Sequence, residues 1–435
     1  MSEYKKNSIT LIGAVGLGTG VMISAGIFAL LGQITELSGK WFPIIFFVGS
    51  IVTMISAYSY MKFSEHFPSA GGLGKYLVEA YGKGVIASSA ALMMILSMVI
   101  NQSLVARTFG TYSMQLFGGV NNDWIIPLLG VGLLLIALII NLSSNLFIQT
   151  FTSIVSLIKI IGLLVFAAGA LYLSSFVISL PETSAQAENP TMMAIIASVA
   201  LSILAFKGFT TITNNGSEIE DPKRNVKRAI ILSIIISLIV YLLVSFAVSS
   251  NLSVQEIIIA KDYALAEATR PLLGGIGLYF TVILAIVATV SAIIASIFAV
   301  SRLIAMLVNM KMVPNVPWKT SFKMHHQTAI FTVLIAIILT IFFDLSRIAS
   351  MGAILYLTMD IIIHYGLVVK MKDTIKSSKH IIYLAMILDV IVLTAFIIMK
   401  LQTDVFIVVI SVVIMILIIG LEYLFFKNQN KDASA

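Results

Sequence analysis

Apolar runs long enough to cross a bilayer as helices, roughly 17 to 25 residues each, recur along the whole chain. They fall at 9–32, 41–61, 85–113, 125–141, 146–175, 192–214, 228–249, 275–308, 328–343, 347–369, 381–399 and 404–426. In hydrocarbon every backbone polar group needs a partner inside the protein, which leaves helices or closed barrels. Uninterrupted runs of this length point to helices. The expected fold is therefore an all-α polytopic membrane protein with about 12 transmembrane helices. Composition supports this, because the 435 residues are 59% hydrophobic and only 11% charged. A soluble domain carries about a quarter charged residues.

Several function classes fall away. There are no cysteines, so disulfides, thiolate catalysis and cysteine metal sites are excluded. Five histidines are scattered, and His325-His326 beside Lys323 reads as a solvated loop. No nucleophile, acid–base pair or metal cluster converges at one interface, so neither an enzyme nor a cofactor is expected. No nucleotide-binding motif is present, which argues against a primary pump. The opening MSEYKKNS runs into a glycine-containing apolar segment without a cleavage signal, so the first helix is expected to be retained.

Twelve crossings put both termini on one side. Lys5, Lys6, Lys62, Lys75, Lys83, Lys223, Arg224, Lys227, Arg228, Lys311, Lys319, Lys323, Lys370, Lys372, Lys376, Lys379, Lys427 and Lys431 fall there, 18 of 27 basic residues. Such a bias marks the cytoplasm, so a multi-pass cell-membrane protein with cytoplasmic N- and C-termini is expected. The opposite loops carry Glu36, Asp123, Glu182, Glu188, Glu256 and Asp262. The net charge of +7 is thus explained by topology, without nucleic acid. On that outer side, Ser253 and Glu256 have the spacing of a capping box, predicting a short helix over the bundle.

Two crossings are marked for interruption. The first reads GAVGLGTGVMISAGIF, with glycines at 13, 16, 18, 20 and 26. Gly16 and Gly20 fit close helix packing, whereas Ile23-Ser24-Ala25-Gly26 lacks the bulk of a rigid apolar helix. The sixth reads AFKGFTTITNNGSE, with Lys207-Gly208 near mid-membrane. Paired interruptions at the starts of segments 1–5 and 6–10 suggest an internal repeat, and in transporters they point to the binding site. An unwound helix frees amides and carbonyls for a solute, and a zwitterion such as an amino acid can use both. The organisation expected is a first repeat over 1–175, a second over 192–369, two further helices over 381–426 and a short tail over 427–435.

These stretches resemble the amino acid–polyamine–organocation (APC) family of secondary transporters, the amino acid permeases among them. ISAGIF (23–28) is similar to the family's first-helix motif, and FPSAGGLGKYLVEAYGKG (67–84) to its segment before the third helix. AFKGFTTITNNGSEIEDPKRNVKRAI (205–230) resembles the sixth helix and the basic loop after it. SAIIASIFAVSRLIAML (291–307) resembles the eighth, with its terminal Arg302. The resemblance implies a LeuT-like 5+5 inverted repeat plus two helices. It also implies a substrate carboxylate near Ile23, Ser24, Ala25 and Gly26, and an amine near carbonyls of Leu204, Ala205 and Lys207, with Gly208 and Phe209 adjoining. Two departures are notable: Ser24 stands where the family usually has glycine, and Thr210 where many relatives have an acidic residue.

Lys159 lies about halfway across the fifth segment. The residues alone allow a structural ion pair or a snorkelling side chain. The resemblance implies instead a lysine replacing a sodium ion between the first and eighth helices, where its protonation would couple to gating. For Lys207 three roles stay open: meeting an acidic substrate side chain, pairing with another helix, or lining a water path. Phe209 is read either as a gate or as lipid-facing. Arg107, Asp360, His364 and Asp389 read as helix cohesion, with Asp360 and His364 spaced to pair. Glu218 either anchors the end of segment six or is solvated. The leading expectation is proton-coupled symport of amino acids or related amines, with sodium-independent exchange as the alternative. A transporter-derived sensor or accessory subunit is the alternative of another class.

Overall fold

A computed structural model describes residues 8–69, 72–118, 124–142, 145–175, 179–182, 189–314 and 324–434. The side chains of 145–153, 173, 271–273, 324–325 and 430–434 lie outside that description. Lys5, Lys6, Asp123, Glu188, Lys319 and Lys323 are also outside it, as are the side chains of His325 and Lys431.

In chain order the helices are α1 Leu11–Met22, α2 Ala25–Phe28, α3 Leu30–Ser38, α4 Phe42–His66, α5 Gly72–Tyr81 and α6 Val85–Gln115. Then come α7 Ile125–Asn141, α8 Asn145–Leu173, α9 Met192–Ala205, α10 Thr210–Asn214, α11 Pro222–Ser249 and α12 Val254–Ile259. The series ends with α13 Ala264–Asn309, α14 Met324–Phe342, α15 Leu345–Tyr365, α16 Lys379–Thr403 and α17 Val405–Ser434. Ten described helical stretches are long and apolar enough to cross a membrane, and 125–141 and 326–342 are shorter apolar helices. Segment eight starts earlier than its apolar run, at Ala264, and bends at Gly274 with φ 56°. The last helix continues past 426 to Ser434.

Polar side chains set the helix starts. Thr10 and Thr191 each accept a backbone N–H, from Gly13 and Ala194, at 3.2 Å, and Asp344 accepts from Arg347 at 2.8 Å. Each satisfies an amide that the first turn leaves without a partner. Ser253 and Glu256 form a reciprocal capping box on α12, which packs on α3. The bonds from Ser253 hold the Glu256 carboxyl below its ordinary range.

α6 packs against α13, α7, α15 and α14, while α1 lies against α11 and α8. The apolar windows of α16 and α17 are 33% and 22% buried, against 72% for α6, so these two helices flank the bundle. The exposed Ile387 and Ile391 of α16 and Ile416, Leu417 and Leu421 of α17 suit contact with lipid.

At the end of the bundle that carries the N-terminal segment, the chain ties its own entry to the end of segment six. The N–H groups of Ser8 and Ile9 donate to the Glu218 carbonyl at 2.8 and 2.9 Å, and Glu220 N–H donates to the Ile9 carbonyl at 2.9 Å. The Glu218 carboxylate pairs with Arg302, both buried, and the guanidinium lies 3.8 Å over the Phe298 ring. Glu218 is therefore an anchor, and loop solvation is ruled out. Arg302→Met would take the guanidinium away from this buried carboxylate. Losing one partner of a buried pair costs about 3–5 kcal/mol, so a clear drop in the thermal-unfolding midpoint in detergent is expected. An unchanged midpoint would show that the pair contributes nothing to the fold.

Candidate functional site: two interrupted helices around a cavity

α1 stops at Met22. Ile23 (φ −80°, ψ 65°) and Ser24 (φ −152°, ψ −97°) leave the helical region, and the Ser24 hydroxyl donates to the Val21 carbonyl at 2.7 Å. Helix resumes at Ala25, with Phe28 N–H donating to the Ser24 carbonyl at 3.1 Å. The amides of Ala25, Gly26 and Ile27 begin this half-helix, so they lack a partner one turn back.

The sixth segment stops at Ala205, passes through a 3-10 turn over Lys207–Phe209, and resumes as α10. The two interruptions touch. A Cβ on Gly208 would lie 2.6 Å from the Met22 nitrogen and 2.9 Å from the Gly18 carbonyl oxygen. A Cβ on Gly26 would lie 2.8 Å from the Ala205 carbonyl oxygen and 2.1 Å from the Tyr241 hydroxyl. Only residues without a side chain permit this approach of backbones. Tyr241 of α11 joins the two breaks, its hydroxyl lying 2.5 Å from the Met22 carbonyl oxygen and 3.1 Å from that of Ala205.

Beside this junction lies a narrow cavity. The first segment contributes Val21, Gly26 and Leu30, and the sixth contributes Leu204, Ala205, Lys207, Gly208, Thr210 and Thr211. Met98 and Asn101 of α6, Ser296 of α13 and Tyr356 of α15 complete the wall. A cavity walled by five crossings, two of them interrupted, is what a small polar solute requires in a membrane interior.

Residues 9–421 match the amino acid permease family. The chain belongs to that family. It is 28% identical over 385 residues to the inner membrane transport protein YbaT of Escherichia coli (strain K12), covering 88% of each chain. It is 27% identical over 390 residues to an uncharacterized protein of Methanocaldococcus jannaschii, covering 88% of this chain and 87% of the relative. The serine/threonine exchanger SteT of Bacillus subtilis (strain 168) is 26% identical over 277 residues, covering 62% of this chain and 61% of the relative. Family and fold together are those of a multi-pass transporter for amino acids or related solutes. Among the described residues, no group of three or more His, Asp or Glu side chains could hold a metal.

In this amino acid permease, Gly26, Leu204, Ala205, Lys207 and Gly208 line the cavity, whereas Ile23, Ser24, Ala25 and Phe209 are buried outside its lining. Phe209 packs edge-on against Tyr60, with ring centroids 5.2 Å apart, so it does not face lipid. Lys159 stands away from the cavity. It is fully buried, and its ammonium donates to the Gly20 carbonyl of α1 and, at 3.0 Å, to the Ser291 hydroxyl of α13.

Lys207 pairs with Asp360 of α15. The Tyr60 hydroxyl donates to the other oxygen of that carboxylate at 2.6 Å. The pairing of Asp360 with His364 suggested by their spacing is not formed. His364 instead contacts Ser59 at 2.7 Å, Asp389 at 3.0 Å and Ser56 at 3.1 Å. Helical spacing puts both side chains on one face, but α4, the 3-10 turn at Lys207 and α16 supply the partners. Arg107 donates to the carbonyls of Thr340 and Ile341, at 2.7 and 3.2 Å.

The sequence reading missed Asn101, Tyr241, Ser296 and Tyr356. Asn101 carried a usable signal, an amide inside the apolar run MVINQS, since such groups in membrane helices tend to face the interior. Tyr241 in IVYLL offered none, because nothing local distinguishes it from a tyrosine at the lipid interface.

Proposed function

We propose that this chain carries amino acids across the cytoplasmic membrane as a proton-coupled symporter. It crosses twelve times, as two inverted repeats of five helices plus two more, with both termini cytoplasmic. The observation that carries the reading is the junction of two interrupted crossings beside a buried cavity. An amino acid carboxylate suits the half-helix amides around Ser24, Ala25 and Gly26, where the helix dipole favours negative charge. Its ammonium suits carbonyls of the sixth-segment break. The Ala205 carbonyl already accepts from Tyr241 and that of Lys207 from Thr210, yet a carbonyl oxygen has two lone pairs.

Lys159 supplies the coupling step. Its ammonium holds α1 to α13 through Gly20 and Ser291. Loss of its proton removes the charge that strengthens both bonds and loosens α1, the helix that bears half of the site. Exchange is the second reading, favoured by the similarity to a serine/threonine exchanger.

Uptake of a labelled amino-acid panel into liposomes holding the purified protein separates the two. Accumulation driven by an inward proton gradient into empty liposomes is expected. Flux only when unlabelled amino acid is loaded inside would make the protein an exchanger and reduce Lys159 to a brace.

A further inference from the structure

Among the described residues, Lys207 is the one cavity-lining residue whose side chain is formally charged at neutral pH, and its charge is cancelled within the wall. The ammonium pairs with Asp360, and the two side chains are 2% and 0% exposed. It also lies 5.3 Å from the Phe209 ring centroid and 5.7 Å from that of Tyr60. Tyr60 donates to the second oxygen of Asp360. None of Asp360, Tyr60 and Phe209 lines the cavity. One turn further along α15, His364 engages the other buried carboxylate of this region, Asp389 of α16. The side chains left to meet a solute are apolar or neutral, with Asn101, Thr211, Ser296 and Tyr356 offering hydrogen bonds without net charge.

We infer that Asp360 is a specificity-determining residue. By holding the Lys207 ammonium inside the wall, it leaves the cavity formally neutral and restricts the site to amino acids with uncharged side chains. The inference rests on the reading that this cavity binds amino acids. The main-chain charges of such a substrate are met by the helix breaks. A third charge on its side chain would be buried without a counter-ion, which is strongly unfavourable. The pair thus acts through exclusion, since a site rejects a competitor by leaving its charge unpaired. Breaking the pair leaves a fixed positive charge in the cavity wall.

The pair predicts reciprocal changes. Asp360→Asn frees the ammonium, so aspartate and glutamate should compete with a labelled neutral substrate at least about tenfold better than against wild type. Lys207→Met frees the carboxylate, so lysine and arginine should gain by a similar factor, while aspartate and glutamate gain nothing. Wild-type protein should be inhibited by neutral amino acids and by neither charged class. Competition in proteoliposomes reads all three proteins, and either variant suffices if the other does not reconstitute.

Wild-type transport of aspartate, glutamate, lysine or arginine as effective as that of neutral amino acids would overturn the inference alone. So would reconstituted variants with the wild-type selectivity. Wild-type protein that transports no amino acid would overturn the reading of the site and this inference with it.

Discussion

Replacing Gly208 with alanine is expected to abolish uptake. The added methyl would sit 2.6 Å from the Met22 nitrogen and 2.9 Å from the Gly18 carbonyl oxygen. Both are backbone atoms of α1, so no side-chain rotation relieves the contact, and the 3-10 turn must move away from the first break. Overpacking of this kind costs about 1–3 kcal/mol. That is a tolerable loss for the fold of a large protein but a decisive one for a site built from two touching backbones. The variant should therefore reconstitute with a modestly lowered unfolding midpoint and show no binding of the wild-type substrate. Gly26→Ala should behave alike, since its methyl meets the Ala205 carbonyl oxygen and the Tyr241 hydroxyl. Wild-type affinity in both variants would mean that the solute binds elsewhere.

Lys159→Met is expected to remove gradient-driven accumulation. Methionine keeps most of the volume but cannot donate to the Gly20 carbonyl or to Ser291. An acceptor left unsatisfied in a buried position costs about 1–3 kcal/mol, so α1 should be held less firmly. If Lys159 carries the proton, the variant loses uptake into empty liposomes yet still equilibrates labelled against unlabelled substrate. If the lysine only braces the helices, accumulation and exchange fall by the same factor. Measuring both in one preparation separates the cases.

Much of the architecture could be read before any coordinates because the membrane restricts the choices so severely. Apolar runs marked the helices, and the small residues Ser24-Ala25-Gly26 and the charged Lys207 beside Gly208 stand just past the places where α1 and the sixth segment stop. The capping box at Ser253 and Glu256 was equally local and equally visible. Partners were another matter. Lys207 left three roles open, and its ammonium pairs with Asp360, 153 positions away, a partner that nothing near Lys207 in the sequence points to. The helical spacing of Asp360 and His364 was misleading, because their partners come from other helices. Tyr241 bonds both breaks from α11, and no pattern within its own helix announces that. The inverted repeat, the number of crossings and the side on which the termini lie rest on resemblance and charge bias, so they stand within the proposal.

On the proposed function, the junction of the two interrupted helices recognises both charges of an amino acid backbone. Equilibrium binding to the purified protein tests it most directly, using the best substrate from the uptake panel against two analogues. One analogue lacks the carboxylate, being the corresponding amine, and the other carries a hydroxyl in place of the amine. The amino acid should bind, and neither analogue should displace it at comparable concentration. Displacement by the amine as effective as that by the amino acid itself would contradict a carboxylate site at Ser24, Ala25 and Gly26. Equal displacement by the hydroxy acid would contradict an amine site at the carbonyls of Leu204, Ala205 and Lys207.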